Sequence, residues 1–287
     1  MSYQIITDSS CDFTEEQYTQ LNVSYVPLSL LYNGEVHNNF SDPAQVKAFY
    51  DLMRSGLTAT TAAANPDAWA AVMEPVLAQG RDVLVLPFSS GLSTTCQSAF
   101  IAAQELREKY PERTIRVVDT LCAALGQGLL VWHACRKRDE GLDVNQLADW
   151  VEENRLHLCH WVTVDDLGQL KRGGRISATT ALVGTMLNVK PIIHVNDEGK
   201  LINCAKVRGR KAAIAYIAQK FHEDKGDYPN DTIFIGHGDC PEDAAQLASI
   251  LREQYGAKNI VTGYVGPVIA AHTGPGVLVV FFLGNHR

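Results

Sequence analysis

Several absences narrow the reading of this sequence. No Cys-x-x-Cys pair occurs, and the seven cysteines (Cys11, Cys96, Cys122, Cys135, Cys159, Cys204 and Cys240) are odd in number and widely spaced. That pattern argues against a disulfide framework or a zinc knuckle, and a reducing cytoplasm is the simplest home for it. The longest apolar run, from Val277 to Leu283, is far short of the roughly 20 residues a membrane-spanning helix needs. The first twelve residues lack a basic segment followed by an apolar one, so no secretory signal is expected. Basic charge is in deficit: 25 Lys and Arg against 32 Asp and Glu leave a net charge of −7, which argues against a nucleic-acid binder. The phosphate loops Gly-x-x-x-x-Gly-Lys-[Ser/Thr] and Gly-x-Gly-x-x-Gly after the first strand are missing. Gly91-Leu92-Ser93-Thr94-Thr95 lacks the second glycine of a nucleophile elbow.

What remains is an ordinary globular composition, 46% hydrophobic and 20% charged, over 287 residues, enough for about two domains. The first half alternates strand and helix. Strands are predicted at 3–7, 23–32, 83–86 and 115–118. A helix over 13–21 is expected to be capped by Asp12, with Glu15 in a capping box. Asn33-Gly34 reads as a tight turn, and Asp42-Pro43 and Asn65-Pro66 each open a helix on proline. Such alternation favours a parallel sheet. The second half differs. A strand at 159–164, a helix over about 177–187, a hairpin of 190–195 with 201–207, and two further helix–strand pairs imply a mixed or antiparallel sheet, and the chain closes with a loop and a strand at 277–283. The expected organisation is α/β with two domains, 1–158 and 159–287, packed tightly because no linker composition separates them.

Four small-residue loops follow strands: 7–12, 89–95, 119–128 and 272–276. In an open parallel sheet ligands bind beyond the carboxyl ends of the strands, and free N–H groups at a helix N-terminus suit an anion. Ser93 stands where such a helix begins. It reads either as a plain N-cap or as a nucleophile with His272 or His237 as base, which would make the protein a serine hydrolase. A phosphosugar-type enzyme and a lipid-sensing regulator are the other classes left open. His157 and His160 flank Cys159 but lack further ligands at metal spacing, so no metal is expected. Two basic runs, 171–175 and 206–211, stand out in an acidic chain and suit anion contact by Arg175 or docking to an acidic partner.

Taken together, these strings resemble the DegV family of bacterial fatty-acid-binding proteins. The resemblance is carried by Thr7-Asp8-Ser9-Ser10-Cys11-Asp12, Ser89-Ser90-Gly91-Leu92-Ser93 and Asp166 through Ser177 with its Lys-Arg-Gly-Gly-Arg core. Leu187-Asn188-Val189-Lys190-Pro191-Ile192, Arg208-Gly209-Arg210-Lys211-Ala212 and Gly266 through Gly276 also carry it. It implies a two-domain α/β protein holding one long-chain fatty acid, with no cofactor and no catalysis of its own. It further implies that Thr61 and Ser93 bind the carboxylate, with Arg175 and the His272-Thr273 pair nearby. The acid would be presented to a separate ATP-dependent fatty acid kinase related to dihydroxyacetone kinases, and the acyl phosphate would feed phospholipid synthesis. Where the family usually has Thr-Ser-x-Pro-Ser, this chain has Thr61-Ala62-Ala63-Ala64-Asn65, and Thr94 replaces the usual glycine after Ser93.

The physics of such a ligand is simple. A buried carboxylate needs hydrogen bonds or a cation, and the tail, at about 0.8 kcal/mol per CH₂, supplies most of the affinity. Met186, Leu187, Ile192 and Ile193 are candidates for the tunnel wall, and Arg208 and Arg210 for partner docking.

Overall fold

The computed structural model describes residues 3–176, 188–285 and 287. Strand β1 (Tyr3–Asp8) is buried throughout and leads through a short 3-10 turn to α1 (Glu15–Leu21) and β2 (Val23–Val26). Then come β3 (Ser29–Tyr32), β4 (Glu35–Asn38), α2 (Pro43–Arg54), β5 (Thr60–Ala62) and α3 (Pro66–Ala78). They are followed by β6 (Asp82–Val85), α4 (Thr95–Lys109), β7 (Ile115–Val117), α5 (Ala124–Asp139) and α6 (Val144–Asn154). The remainder is β8 (Leu158–Thr163), α7 (Gly168–Arg172), β9 (Val189–Val195), β10 (Leu201–Arg208), α8 (Arg210–Asp224), β11 (Thr232–His237), α9 (Pro241–Glu253), β12 (Asn259–Tyr264), α10 (Pro267–Thr273) and β13 (Leu278–Leu283).

The local signals act as their chemistry dictates. Asn33 and Gly34 both take positive φ, 52° and 80°, matching the twist of the β3–β4 hairpin. Asp42 accepts from Gln45 N–H and Asn65 from Ala68 N–H, each just ahead of a helix that starts on proline. Three expectations need correction. Thr14, not Asp12, caps α1, in a capping box with Gln17, while Asp12 turns left-handed at φ 59°. The strand expected at 23–32 is two strands, because Pro27 has no N–H to pair. The loop expected before β13 contains α10, opened by Gly266-Pro267. The helix expected over 177–187 lies outside the described residues.

The protein is a mixed α/β fold with three sheets. One is wholly parallel, in the order β2-β1-β6-β7. The second is a small antiparallel sheet, β4-β3-β5. The third has six strands, β10-β9-β8-β13-β11-β12, antiparallel except for β11 with β12. Helix α5 lies between the parallel and six-stranded sheets, and its residues 124–131 are all buried. The six-stranded sheet has two apolar faces, because successive strand residues point to opposite sides. Val162, Ile193, Val279 and Phe281 face α5, whereas Ile192, Val280 and Phe282 pack with Ile217 of α8 and Leu247 of α9. Gly126 lets α5 come close to the sheet: a Cβ there would lie 2.3 Å from His160 Nε2 and 2.7 Å from Phe281.

Among the described residues no disulfide joins any cysteine, no group of three metal-ligating side chains converges, and no helix is long and apolar enough to cross a membrane.

Candidate functional site

A cavity of about 610 Å³ opens beside the loop that follows β6, within the range of small-molecule sites. Its rim is exposed and polar, with Ser90, Thr94 and Gln97 at the start of α4. Its deep wall is apolar, built from buried Val162, Ile193, Val195, Val279 and Phe281 with half-buried Leu201 on the inner face of the six-stranded sheet. The loop itself is pinned. Ser89 donates its hydroxyl to Gly199 O at 2.9 Å, which ties the loop to the turn between β9 and β10.

The polar side chains gather at one end. Thr61, on β5, and His272, on α10, share a hydrogen bond of 2.8 Å between Thr61 Oγ1 and His272 Nε2, across 211 positions of sequence. His272 Nδ1 is buried beside Gly173 with no hydrogen-bond partner among the described residues, and a Cβ on residue 173 would lie 2.3 Å from it. Burial, and then the Arg175 guanidinium, lower the His272 pKa to about 4, so its ring is neutral at pH 7. Arg175 donates through Nε to Leu92 O at 3.1 Å and through a terminal nitrogen to Gly173 O at 2.5 Å, which fixes it beside the loop. Ser93 Oγ accepts from Thr95 N–H at 3.2 Å and lies 2.8 Å from Thr95 Oγ1, but the N-cap of α4 is Thr94, so the plain N-cap reading of Ser93 is corrected: it stands one residue ahead of the cap, on the cavity wall. Thr273 also lines the cavity, its hydroxyl donating to Ile269 O at 3.2 Å. This end offers hydroxyls, a guanidinium and a helix N-terminus to an anion.

The structure therefore brings Thr61, Ser93, Arg175, His272 and Thr273 to one cavity, with Ile193 on its wall. Ile192 is not there. It points to the other face of β9, into the core beneath α8, as its neighbour's inward direction requires. Met186 and Leu187 lie outside the described residues. Arg208 is exposed at the end of β10. Arg210 is engaged, donating to Asp243 Oδ2 at 2.8 Å and standing 4.0 Å from Asp165. Neither arginine lines the cavity. Of the two histidines considered as a base for Ser93, His272 is bonded to Thr61 and His237 lines a different cavity.

Of the four loops, 89–95 and 272–276 supply the polar end, and 119–128 supplies Ala123 and Ala124. The loop 7–12 does not reach this cavity. Sequence reasoning weighed His160 only as a metal ligand and missed its place on the cavity wall. Its Nε2 accepts from Ala123 N–H at 3.3 Å and its Nδ1 donates to Leu158 O at 3.1 Å, so both nitrogens are used inside the fold. Burial holds its pKa well below the usual range, and the ring packs edge-on against Phe281 as neutral wall. The alternation along β8 and β13 was the signal that could have found His160, Val279 and Phe281.

A family model described as uncharacterised protein, DegV family, matches residues 2–285. The chain is 43% identical to a DegV domain-containing protein of Clostridium perfringens over 286 residues, covering 99% of this chain and 98% of that one. It is 33% identical to one from Streptococcus pyogenes over 288 residues, covering 100% and 99%. Among solved structures it is similar to a DegV family protein from Thermus thermophilus described by its fatty acid binding, with a TM-score of 0.87, 30% identity and coverage of 99% and 100%. It is also similar to DegV, a fatty acid binding protein from Bacillus subtilis, with a TM-score of 0.83, 26% identity and coverage of 99% and 100%.

Proposed function

This chain belongs to the DegV family, and from that premise we propose that it binds one long-chain fatty acid as a carrier rather than an enzyme. The carboxylate sits at Thr61, Ser93, Arg175 and the His272-Thr273 pair, and the tail lies along Val162, Ile193, Val279 and Phe281. The observation that supports this reading is the polarity of the cavity: Thr61, Ser93, Arg175 and His272 gather at one end, and the deep wall is apolar side chains with the neutral His160 ring. Charge-assisted hydrogen bonds of about 1.5–3 kcal/mol each orient the head. About 16 carbons of tail contribute on the order of 10 kcal/mol before ordering costs. Dividing the chain near residue 158, the first unit supplies Thr61 and Ser93, and the second supplies Arg175, His272 and the tail wall.

The finer reading is that the acid is handed to a dihydroxyacetone-kinase-like, ATP-dependent fatty acid kinase in the cytoplasm, and that the acyl phosphate enters phospholipid synthesis. The exposed rim at Ser90 and Thr94 supports access to the head group from outside. Native mass spectrometry followed by solvent extraction tests the binding. A stoichiometric C14–C18 acid is the expected result. A protein that is empty and also refuses added fatty acid would refute the assignment.

A further inference from the structure

A second cavity, of about 420 Å³, adjoins the first and shares no lining residue with it. The two lie side by side along the chain. Ala123 and Ala124 line the first cavity, and Leu125 lines the second. Val265 lines the first, while Tyr264 and Gly266, on either side of it, line the second. Where consecutive residues line different spaces, the wall between them is one side chain thick. The side chains of that wall meet over Gly236, on β11. A Cβ there would lie 3.1 Å from Val265 Cγ2, 3.2 Å from Phe281 Cε2 and 3.8 Å from Leu125 Cδ1. Gly263, paired with Gly236 across β11 and β12, belongs to the second cavity, and a Cβ there would lie 3.2 Å from Leu125 Cδ1. Leu125 thus reaches both glycines, from beside Phe281 to the floor of the second cavity. All three side chains are buried. None carries a polar atom, so packing alone keeps the wall closed.

The second cavity has apolar lining to offer: Leu125, Val261 and Gly263 lie on its wall, and its exposed members include Glu15 and Thr262. Asp12 also lines it, but both its oxygens are sealed from solvent and burial pushes its carboxyl towards the neutral form, so it sets no free charge in the way of a hydrocarbon. An alkyl tail gains roughly fourfold in affinity for each CH₂ that finds apolar cover. That gain ends where a wall stops the tail. The tail assigned to the first cavity runs along Val279 and Phe281, and Phe281 is part of the wall. Resting on that fatty-acid reading, we infer that Leu125 sets how long a tail the protein accepts. With Val265 and Phe281 it closes the first cavity against a space into which a longer tail would otherwise run.

The test takes the full-length protein, stripped of lipid, and measures saturated acids from C14 to C22 by competition against a fluorescent fatty acid. In the wild type the gain per CH₂ ends by about C18. In Leu125→Ala the climb continues, and the ratio of C22 to C16 affinity rises at least about tenfold. Adding Gly263→Val to that variant refills the space from the facing strand and returns the ratio to the wild-type value. If Leu125→Ala does not fold, Val265→Ala opens the same wall and raises the ratio in the same direction. A folded Leu125→Ala with the wild-type ratio, a wild type whose affinity still climbs through C22, or a double variant that keeps the raised ratio would each overturn this role for Leu125. A wild type that refuses even C16 would instead overturn the fatty-acid reading on which it rests, so the two failures are told apart.

Discussion

His272 makes the stability of the empty protein depend on pH, and the size follows from its surroundings. Its pKa falls from an ordinary 6.5 to about 4 because burial and then Arg175 disfavour the imidazolium. The unfolded chain therefore binds a proton between pH 6.5 and 4 that the folded chain refuses, so stability rises with pH in that window. The contribution is complete above pH 6.5 and lost as pH falls towards 4. At about 1.4 kcal/mol per pH unit, the swing is about 3 kcal/mol. His133, also lowered to about 4 by burial, adds a slope of the same sign, so the effect must be isolated by difference. His272→Gln keeps a polar group opposite Thr61 but cannot titrate. Urea unfolding of both proteins at a series of pH values should show wild type losing up to about 3 kcal/mol more than the variant between pH 6.5 and 4. Parallel curves for the two proteins would refute the account, because His272 would then titrate alike folded and unfolded.

Three further outcomes are expected. Ser93→Ala removes one charge-assisted bond of about 1.5–3 kcal/mol, so calorimetry should show fatty-acid affinity falling roughly tenfold to a hundredfold in a protein that still folds; unchanged affinity would remove Ser93 from the site. Gly126→Ala gains about 1 kcal/mol of helix propensity. It also meets a His160 ring pinned by two hydrogen bonds, where overpacking costs about 1–3 kcal/mol, so urea unfolding should show a net loss of stability, and a gain would be contrary to this packing. Arg208→Glu should slow acyl-phosphate formation by a fatty acid kinase while leaving lipid binding intact, and equal turnover would reject the docking role.

The fold was legible where one residue type has one physical meaning. Asn33-Gly34 could only turn, and Asp42-Pro43 and Asn65-Pro66 could only start helices. Where two readings share one signal, the sequence left a tie. Asp12 with Glu15 and Thr14 with Gln17 both satisfy a capping-box pattern, and tertiary contacts chose Thr14. Strand β5 is three residues with no periodicity to read, and α10 is a single short helix between glycines. Ile192 and Ile193 had to face opposite ways, but which faced the cavity was hidden, because α8 and α9 cover one side of the sheet and α5 together with the cavity the other. Both sides are therefore apolar. The pairing of Thr61 with His272 spans most of the chain, and no local pattern encodes it; the family resemblance pointed to both residues, and the structure placed them 2.8 Å apart.

The position of β13 has a consequence for synthesis. This strand is the last in the described chain, yet it lies in the interior of the six-stranded sheet, between β8 and β11. A nascent polypeptide emerges from its N-terminus onward. The parallel sheet can form early, but β8 and β11 have no common neighbour until residue 283 has left the ribosome. Until then Val279 and Phe281 are missing from the cavity wall, and β8 and β11 each present an open edge. The cavity is thus finished only once β13 has been made, and a ribosome stalled short of it releases a chain with two unpaired strand edges and an incomplete cavity wall.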